Sequence, residues 1–247
     1  RSDFPKFKKK SNRQSFQYPQ GVKIKGNKIF LPKIGWVNYF NSRGFLGGIK
    51  TVTVTKTPSG QYFVSILVDT KEDKPIKKPI LEKTSVGLDF GIKDLVITSD
   101  GVVFENQKHF QKMKSKLRVE QRSLSRKQKG SNKWHKQRLI VAKLYEKVTN
   151  QRLDYLHKIS TQLVNEYDTI CIEDLSVESM LKEKKMSSLI ADASWRTLRT
   201  MLEYKCDWYG KNLSVIGRFE PSSKRCNHCG NINKDLKLSD REWDCQK

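Results

Sequence analysis

The sequence predicts a mixed α/β chain in three parts: an N-terminal β module, an α/β domain interrupted by a helical hairpin, and a short C-terminal segment organised by cysteines. Three observations predict it. Short runs of β character fill residues 22–68, apolar residues recur at three- and four-residue steps from Phe110 to Leu163, and two hydrophobic runs end in acids at Asp89 and Glu173.

Residues 1–20 are basic and polar, with Lys8-Lys9-Lys10 and little periodicity, and are expected to be flexible or wrapped on a partner. Val22–Ile24 and Ile29–Leu31 flank Gly26-Asn27, a hairpin signal; Thr51–Thr55 alternates with period two, and Pro58-Ser59-Gly60 turns the chain into Tyr62–Val68. These runs predict a small β-barrel-like module with a basic face. The charged, proline-broken stretch Thr70–Thr84 ends it, so residues 1–84 form the first domain and its linker.

Residues 85–217 form the second domain. Ser85–Asp89 reads as a strand, followed by a turn near Gly91, a strand from Leu95, and a hairpin at Asp100-Gly101 leading into Val102–Phe104. A helical insertion occupies about residues 105–167. Phe110, Met113, Leu117 and Leu124 share one stripe, Lys129–Asn132 breaks it, and Asn132 is placed to cap a second helix carrying Val141, Val148, Ile159 and Leu163. Thr169–Glu173 is another buried strand, Lys182–Lys185 a charged loop, and Ser194–Gly210 a helix with Trp195, Leu198, Met201, Leu202 and Lys205 on one face. Ser214–Gly217 is a last strand, and residues 218–247 hold the cysteine segment.

Charge restricts the function classes. With 49 Lys+Arg against 26 Asp+Glu, the 247-residue chain carries +23, a charge that suits a polyanionic partner and salt-dependent binding. The hairpin concentrates it: Lys114, Arg118, Arg122, Arg126, Lys133 and Lys136 are candidate phosphate contacts, although a merely solvated basic face has the same composition. Trp36, Tyr39, Phe40 and Phe45 lie among Lys33, Arg43 and Lys50, where they could stack bases or pack a core. No run approaches the roughly 18 apolar residues of a membrane span, and Arg1–Pro5 lacks the apolar core of a secretory signal. A cytoplasmic, nucleoid-associated protein with no membrane partner is therefore expected. No phosphate-binding Walker loop or Gly-x-Ser-x-Gly elbow occurs, and no small-molecule substrate is expected.

Asp89 and Glu173 stand 84 residues apart, each ending a hydrophobic strand. Were those strands neighbours, both carboxylates would reach one sheet edge, and carboxylates are the hard oxygen ligands that magnesium takes. Two such ions roughly 3.5–4 Å apart can activate water and stabilise the leaving oxygen of a phosphodiester. An Asp before a glycine turn is also an ordinary turn residue, and Asp174 could cap a helix, so spacing alone leaves both readings open.

Five cysteines cannot all pair within the chain. Cys226-x-x-Cys229 followed after fifteen residues by Cys245 matches the first three positions of a four-cysteine zinc site, whose fourth ligand would fall one residue past Lys247. His228 sits between the first two cysteines and cannot turn inward beside both. The chain is thus expected to be a fragment. Cys171, between two isoleucines, is expected to be a buried hydrophobe, and Cys206 carries no assigned chemistry.

At this point the residues resemble a known family. Val86-Gly87-Leu88-Asp89-Phe90-Gly91-Ile92-Lys93-Asp94-Leu95 is similar to the first RuvC motif of TnpB proteins, transposon-encoded relatives of type V CRISPR effectors, and Ile172-Glu173-Asp174-Leu175-Ser176-Val177 to the second. Pro221–Lys224, Cys226-x-x-Cys229-Gly230 and Trp243-x-Cys245 resemble the family's zinc ribbon. The motifs come in the family's order and cover residues 85–247; residues 1–84 fit only loosely. The resemblance implies an RNase H-like (RuvC) domain and RNA-guided, magnesium-dependent cutting of double-stranded DNA, with a guide RNA as partner. It implies that Asp89 and Glu173 are two of three catalytic carboxylates holding magnesium, two ions in all, and that Cys226, Cys229 and Cys245 hold structural zinc in a partial ribbon. The third carboxylate lies beyond the ribbon in the family, so this chain is expected to be shortened at both ends and to lack it. Asp240 and Asp244 lie inside the ribbon and are poor substitutes. Two other readings stay open: a non-catalytic nucleic-acid-binding accessory protein, and a transposase that transfers DNA strands.

Overall fold

The computed structural model describes residues 14–183, 185–218, 220–226, 228–237, 240 and 242–245. The chain forms two compact units, one of Arg1–Lys74 with His109–Tyr155, the other of Pro75–Lys108 with Leu156–Lys247. No helix among the described residues is long and apolar enough to cross a membrane.

The first unit begins with six strands: β1 (Gln14–Tyr18), β2 (Lys23–Lys25), β3 (Lys28–Leu31), β4 (Gly35–Asn38), β5 (Gly48–Lys56) and β6 (Tyr62–Asp69). They form two three-stranded antiparallel sheets, β1-β5-β6 and β2-β3-β4. Alternation decides what is inside: Ile29 and Leu31 on β3 and Val52 on β5 are buried together, with Tyr18, Ile24, Val54, Val64 and Ile66 packed against them. Two of these strands depart from the sequence expectation. Residues 14–18, assigned to a flexible basic arm, pair with Val52–Lys56 in β1, and Gly35–Asn38 pairs with Lys28–Leu31 in β4. Phe16 and Tyr18 alternate with Ser15 and Gln17 over too short a run to stand out, and Gly35–Asn38 has no alternation. Backbone pairing to an adjacent strand supplies what the side chains do not signal. Lys8-Lys9-Lys10 lies outside the described residues.

Helices α1 (His109–Ser125) and α2 (Asn132–Glu166) follow the expected stripes. Leu117, Val141 and Val148 are buried, and Gln137 Nε2 donates to the Glu120 carboxylate at 2.5 Å. The α2 cap is displaced by one residue from the expectation: Ser131 Oγ, not Asn132, accepts the Trp134 amide at 3.2 Å. Serine and asparagine are near-equal caps, so composition does not choose between neighbours.

The second unit is built on one five-stranded sheet. Its strands are β7 (Ser85–Phe90), β8 (Asp94–Thr98), β9 (Val103–Glu105), β10 (Thr169–Glu173) and β11 (Asn212–Ile216), in the order β11-β10-β7-β8-β9. β7, β8 and β9 form an antiparallel meander, as their short hairpins require, while β10 lies parallel to β7 and β11 parallel to β10. Parallel neighbours need long connections. The return from β10 to β11 runs through α3 (Val177–Leu181), α4 (Ser187–Ala193) and α5 (Trp195–Trp208). The first two of these were invisible in the charged segment around Lys182–Lys185, being only five and seven residues long.

Val86, Leu88, Leu95, Val96, Ile170 and Ile172 are buried in this sheet, and α5 contributes Trp195, Leu198, Met201 and Leu202 to the buried set. The C-terminal half of α2 adds Leu156, Ile159, Leu163 and Val164. Lys205, on the apolar face of α5, is buried as well. Its Nζ donates to Ser160 Oγ (2.7 Å), Thr161 Oγ1 (2.7 Å) and the His157 carbonyl (2.9 Å), so all three ammonium donors are satisfied without a carboxylate. Gly210, at φ +62°, ends this segment where a Cβ would lie 2.8 Å from the Ile76 carbonyl oxygen. Leu198→Ala, at a fully buried position, is expected to cost about 2–5 kcal/mol, read as a lower denaturant midpoint for unfolding. An unchanged midpoint would contradict the packing described.

Candidate active site and metal sites

Asp89 and Glu173 reach the same end of the sheet because β7 and β10 run in one direction and in register. Ile172 pairs with Leu88, both with side chains buried, so the next residue on each strand points to the opposite face. The two carboxylates on that face feel one another. The Asp89 carboxyl is raised above the ordinary aspartate range, first because packing strips water from it even though the residue retains exposed surface, second by repulsion from Glu173; the Phe90 amide opposes this. Gly91 makes the turn that follows. A Cβ there would lie 2.6 Å from the Asp94 carbonyl oxygen, so a larger residue would push apart the β7–β8 connection beside Asp89.

The neighbouring acid, Asp174, has the opposite environment. Its Oδ1 accepts from Arg199 Nη1 at 2.7 Å and its Oδ2 from Arg218 Nη2 at 2.8 Å, and these guanidiniums hold its carboxyl below the usual range. It caps no helix: α3 starts after Ser176, with no side-chain cap bond. Arg199 and Arg218 are the residues that sequence reasoning missed. They lie 25 and 44 residues from Asp174, and no local spacing links them.

Cys226, Cys229 and Cys245 converge, with all three sulfurs within 4.8 Å of one another and Cys229 Sγ to Cys245 Sγ at 3.4 Å. Tetrahedral zinc, with bonds of about 2.3 Å to sulfur, sets ligand sulfurs roughly 3.8 Å apart, so the arrangement suits such an ion. The Cys-x-x-Cys turn is closed by backbone bonds from Cys226 to the Asn231 carbonyl (2.8 Å) and from Gly230 to the Cys226 carbonyl (2.9 Å). Amides of Cys229 and His228 bring the Cys226 thiol down to about 7, favouring the thiolate that binds metal. Cys206 differs: burial pushes its thiol up to about 11. Cys171 is half-buried on β10.

In the other unit, Lys114, Arg118 and Arg122 on α1, Arg126 just beyond it, and Lys133 and Lys136 on α2 are all exposed. Among the described residues none of the six is held in an ion pair. Trp36 and Phe40 are exposed, while Tyr39 packs against the β-module core.

Residues 65–184 match the family described as "Probable transposase", and residues 195–247 match that described as "Cas12f1-like, TNB domain". A Streptomyces pristinaespiralis protein named "Putative RNA-guided DNA endonuclease" is 41% identical over 99% of this chain and 61% of its own length. The Escherichia coli "Putative RNA-guided DNA endonuclease InsQ" is 37% identical over 100% of this chain and 64% of its own. More distant relatives from Acanthamoeba polyphaga mimivirus bear the name TnpB-like protein. The chain thus spans a little over three fifths of the length of these two bacterial relatives. The fold resembles that of Cas12f1 in the cryo-EM structure of the Cas12f1-sgRNA-target DNA complex, with a TM-score of 0.56 at 15% identity, covering 80% of this chain and 42% of the other. A mixed α/β chain with a Cas12f1-like fold, similar in sequence to transposases, is the class these features define. The chain resembles proteins of the TnpB family along most of its length.

Repulsion between Asp89 and Glu173 has a testable consequence. A carboxyl raised by folding adds stability only below its ordinary titration range, and that contribution is lost as pH rises through the raised value. Metal-free Asp89→Asn is therefore expected to melt above the unaltered protein at neutral pH, with the gap closing in acid. A variant no more stable at neutral pH would disprove the repulsion. For the thiols, titration of the reduced protein with cobalt is expected to give a sulfur-to-metal charge-transfer band that Cys226→Ser weakens; an unaltered band would remove Cys226 from the ligand set.

Proposed function

We propose that this chain carries the nuclease centre of a transposon-encoded, RNA-guided, magnesium-dependent DNA endonuclease. One observation carries the reading: two carboxylates remote in sequence meet on one face at one end of a sheet, in mutual repulsion that a divalent cation would relieve. Sheet order and strand directions fit an RNase H-like, RuvC-type domain, interrupted by the helical insertion, with the β module before it and a zinc ribbon after it. Relatives named RNA-guided DNA endonucleases, and a fold shared with Cas12f1, support the same assignment.

Asp89 and Glu173 would hold magnesium. When bound, the metal supplies Lewis-acid activation of water and stabilisation of charge on the phosphate oxygens. The chain's own part is to fix these carboxylates on adjacent rigid strands, so that little reorganisation is needed when the ion and the phosphodiester arrive. Cys226, Cys229 and Cys245 would hold zinc, with the low Cys226 thiol as the first to deprotonate. Lys114, Arg118, Arg122, Arg126, Lys133 and Lys136 suit a guide RNA and its heteroduplex with target DNA, read through backbone phosphates rather than base identity.

In cells carrying the native locus, with its guide RNA, Asp89→Ala or Glu173→Ala is expected to slow target cutting by at least about 100-fold, the order of loss when one electrostatic stabiliser of a transition state is removed. Guide binding should persist. Cutting at the normal rate by either variant refutes its role, and binding with no magnesium-dependent cutting by the unaltered protein would favour a non-catalytic accessory protein. Replacing Lys114, Arg118, Arg122, Arg126, Lys133 and Lys136 by Gln should weaken RNA binding. The logarithmic slope of affinity against salt should flatten by about 0.7–0.9 for each phosphate that is no longer neutralised. A salt slope that does not move would place the phosphate-binding residues elsewhere.

A further inference from the structure

Beside Glu173 opens a cleft of about 500 Å³, lined among others by Phe90, Leu175, Trp195, Arg199 and Arg218. The volume suits a nucleotide-sized group, since small-ligand pockets span about 300–1,000 Å³. Two features of its lining suit it to a ligand. Trp195 is 3% exposed, yet its indole Nε1–H meets no acceptor among the described residues, an uncommon state for a buried donor. The two arginines are also fixed rather than free.

Arg218 uses Nη2 on Asp174 Oδ2 and Nε on the Asp174 carbonyl oxygen (3.3 Å); Arg199 uses Nη1 on Asp174 Oδ1 and Nε on Glu203 Oε1 (3.0 Å). A guanidinium has five N–H donors, so each keeps three. Asp174 thus orients two forks of directional donors on the wall that also carries Glu173. Phosphate oxygens accept such forks better than any other group in a nucleic acid. The apolar and aromatic members of the wall suit a sugar and base.

We propose that this cleft seats one nucleotide of the strand being cut, with Arg199 and Arg218 donating to its phosphate, and that Asp174 is a positioning residue that holds both arginines for it. The proposal rests on the nuclease reading of Asp89 and Glu173, and it assigns Asp174 a task other than metal binding.

Two experiments on the full chain separate the proposals. In single-turnover cutting by guide-loaded protein at saturating target, Asp174→Ala and Arg218→Ala are expected to slow the reaction about tenfold or more, as misplaced groups do. Guide RNA affinity, melting temperature and the half-saturating magnesium concentration should stay near their unaltered values, and Asp174→Asn provides a milder change should Asp174→Ala fail to fold. Variants that cut at the normal rate overturn the cleft proposal and leave the nuclease reading intact. A raised magnesium requirement in Asp174→Asn overturns it too, since Asp174 would then be a metal ligand. In the second experiment, the trinucleotide dTpTpT is added to 15N-labelled protein. The Trp195 indole and Arg218 Nε signals should shift, and the Trp195 shift should be lost in Arg218→Ala. No shift in the unaltered protein overturns the proposal; a shift in a protein that never cuts supports the cleft while the nuclease reading falls.

Discussion

Parallel, in-register pairing of β7 with β10 is the constraint on which the candidate centre depends. A one-residue slip would move every side chain of one strand to the other face, taking Ile170 and Ile172 out of the core and Glu173 away from Asp89. The buried residues therefore enforce the register, and the register places the acids. This is why an energetically unfavourable juxtaposition of two carboxylates can persist: the repulsion acts on an exposed edge, while the cost of relieving it by slippage falls on several fully buried aliphatic side chains.

Adjacent acids at one strand end meet opposite fates. Glu173, the last residue of β10, faces Asp89, while Asp174, just past the strand, meets Arg199 and Arg218. One pair of carboxylates is held in mutual repulsion, suited to a cation, and the acid beside it is neutralised by two guanidiniums. The two arginines serve the fold as well, since they tie the end of β10 to α5 and to the segment after β11. Because these ion pairs remain partly exposed, their contribution to stability is small, and orientation of the guanidiniums is the larger effect.

Much of this was legible from local pattern. The stripe through Leu117, Val141, Val148, Ile159 and Leu163 announced the helices, and the hydrophobic runs ending at Asp89 and Glu173 announced two strands of the central sheet. What could not be read divides into two kinds. Strands such as β1, Gln14-Ser15-Phe16-Gln17-Tyr18, carry too short an apolar pattern to be recognised and are completed by a neighbour's ladder of backbone groups. Contacts such as Asp174 to Arg218 depend on where distant segments end up, which no window of residues encodes. The convergence of Cys245 on Cys226 and Cys229 is intermediate: spacing suggested it, but only the turn closed by Asn231 and Gly230 shows how the first two sulfurs are presented together.

The buried Lys205 makes the same point about charge in a chain of +23. Sequence periodicity placed it on the apolar face of α5, where an ammonium would ordinarily be excluded. Burial does lower its pKa, yet three oxygens from one stretch of α2 surround it, so the cost of desolvation is offset by hydrogen bonds rather than by a counter-ion. Lys114, Arg118, Arg122, Arg126, Lys133 and Lys136 are exposed, and among the described residues none is held in an ion pair. Their donors are left for an external polyanion, so this basic chain folds around a conventional aliphatic core while keeping part of its excess charge available for a polyanionic partner.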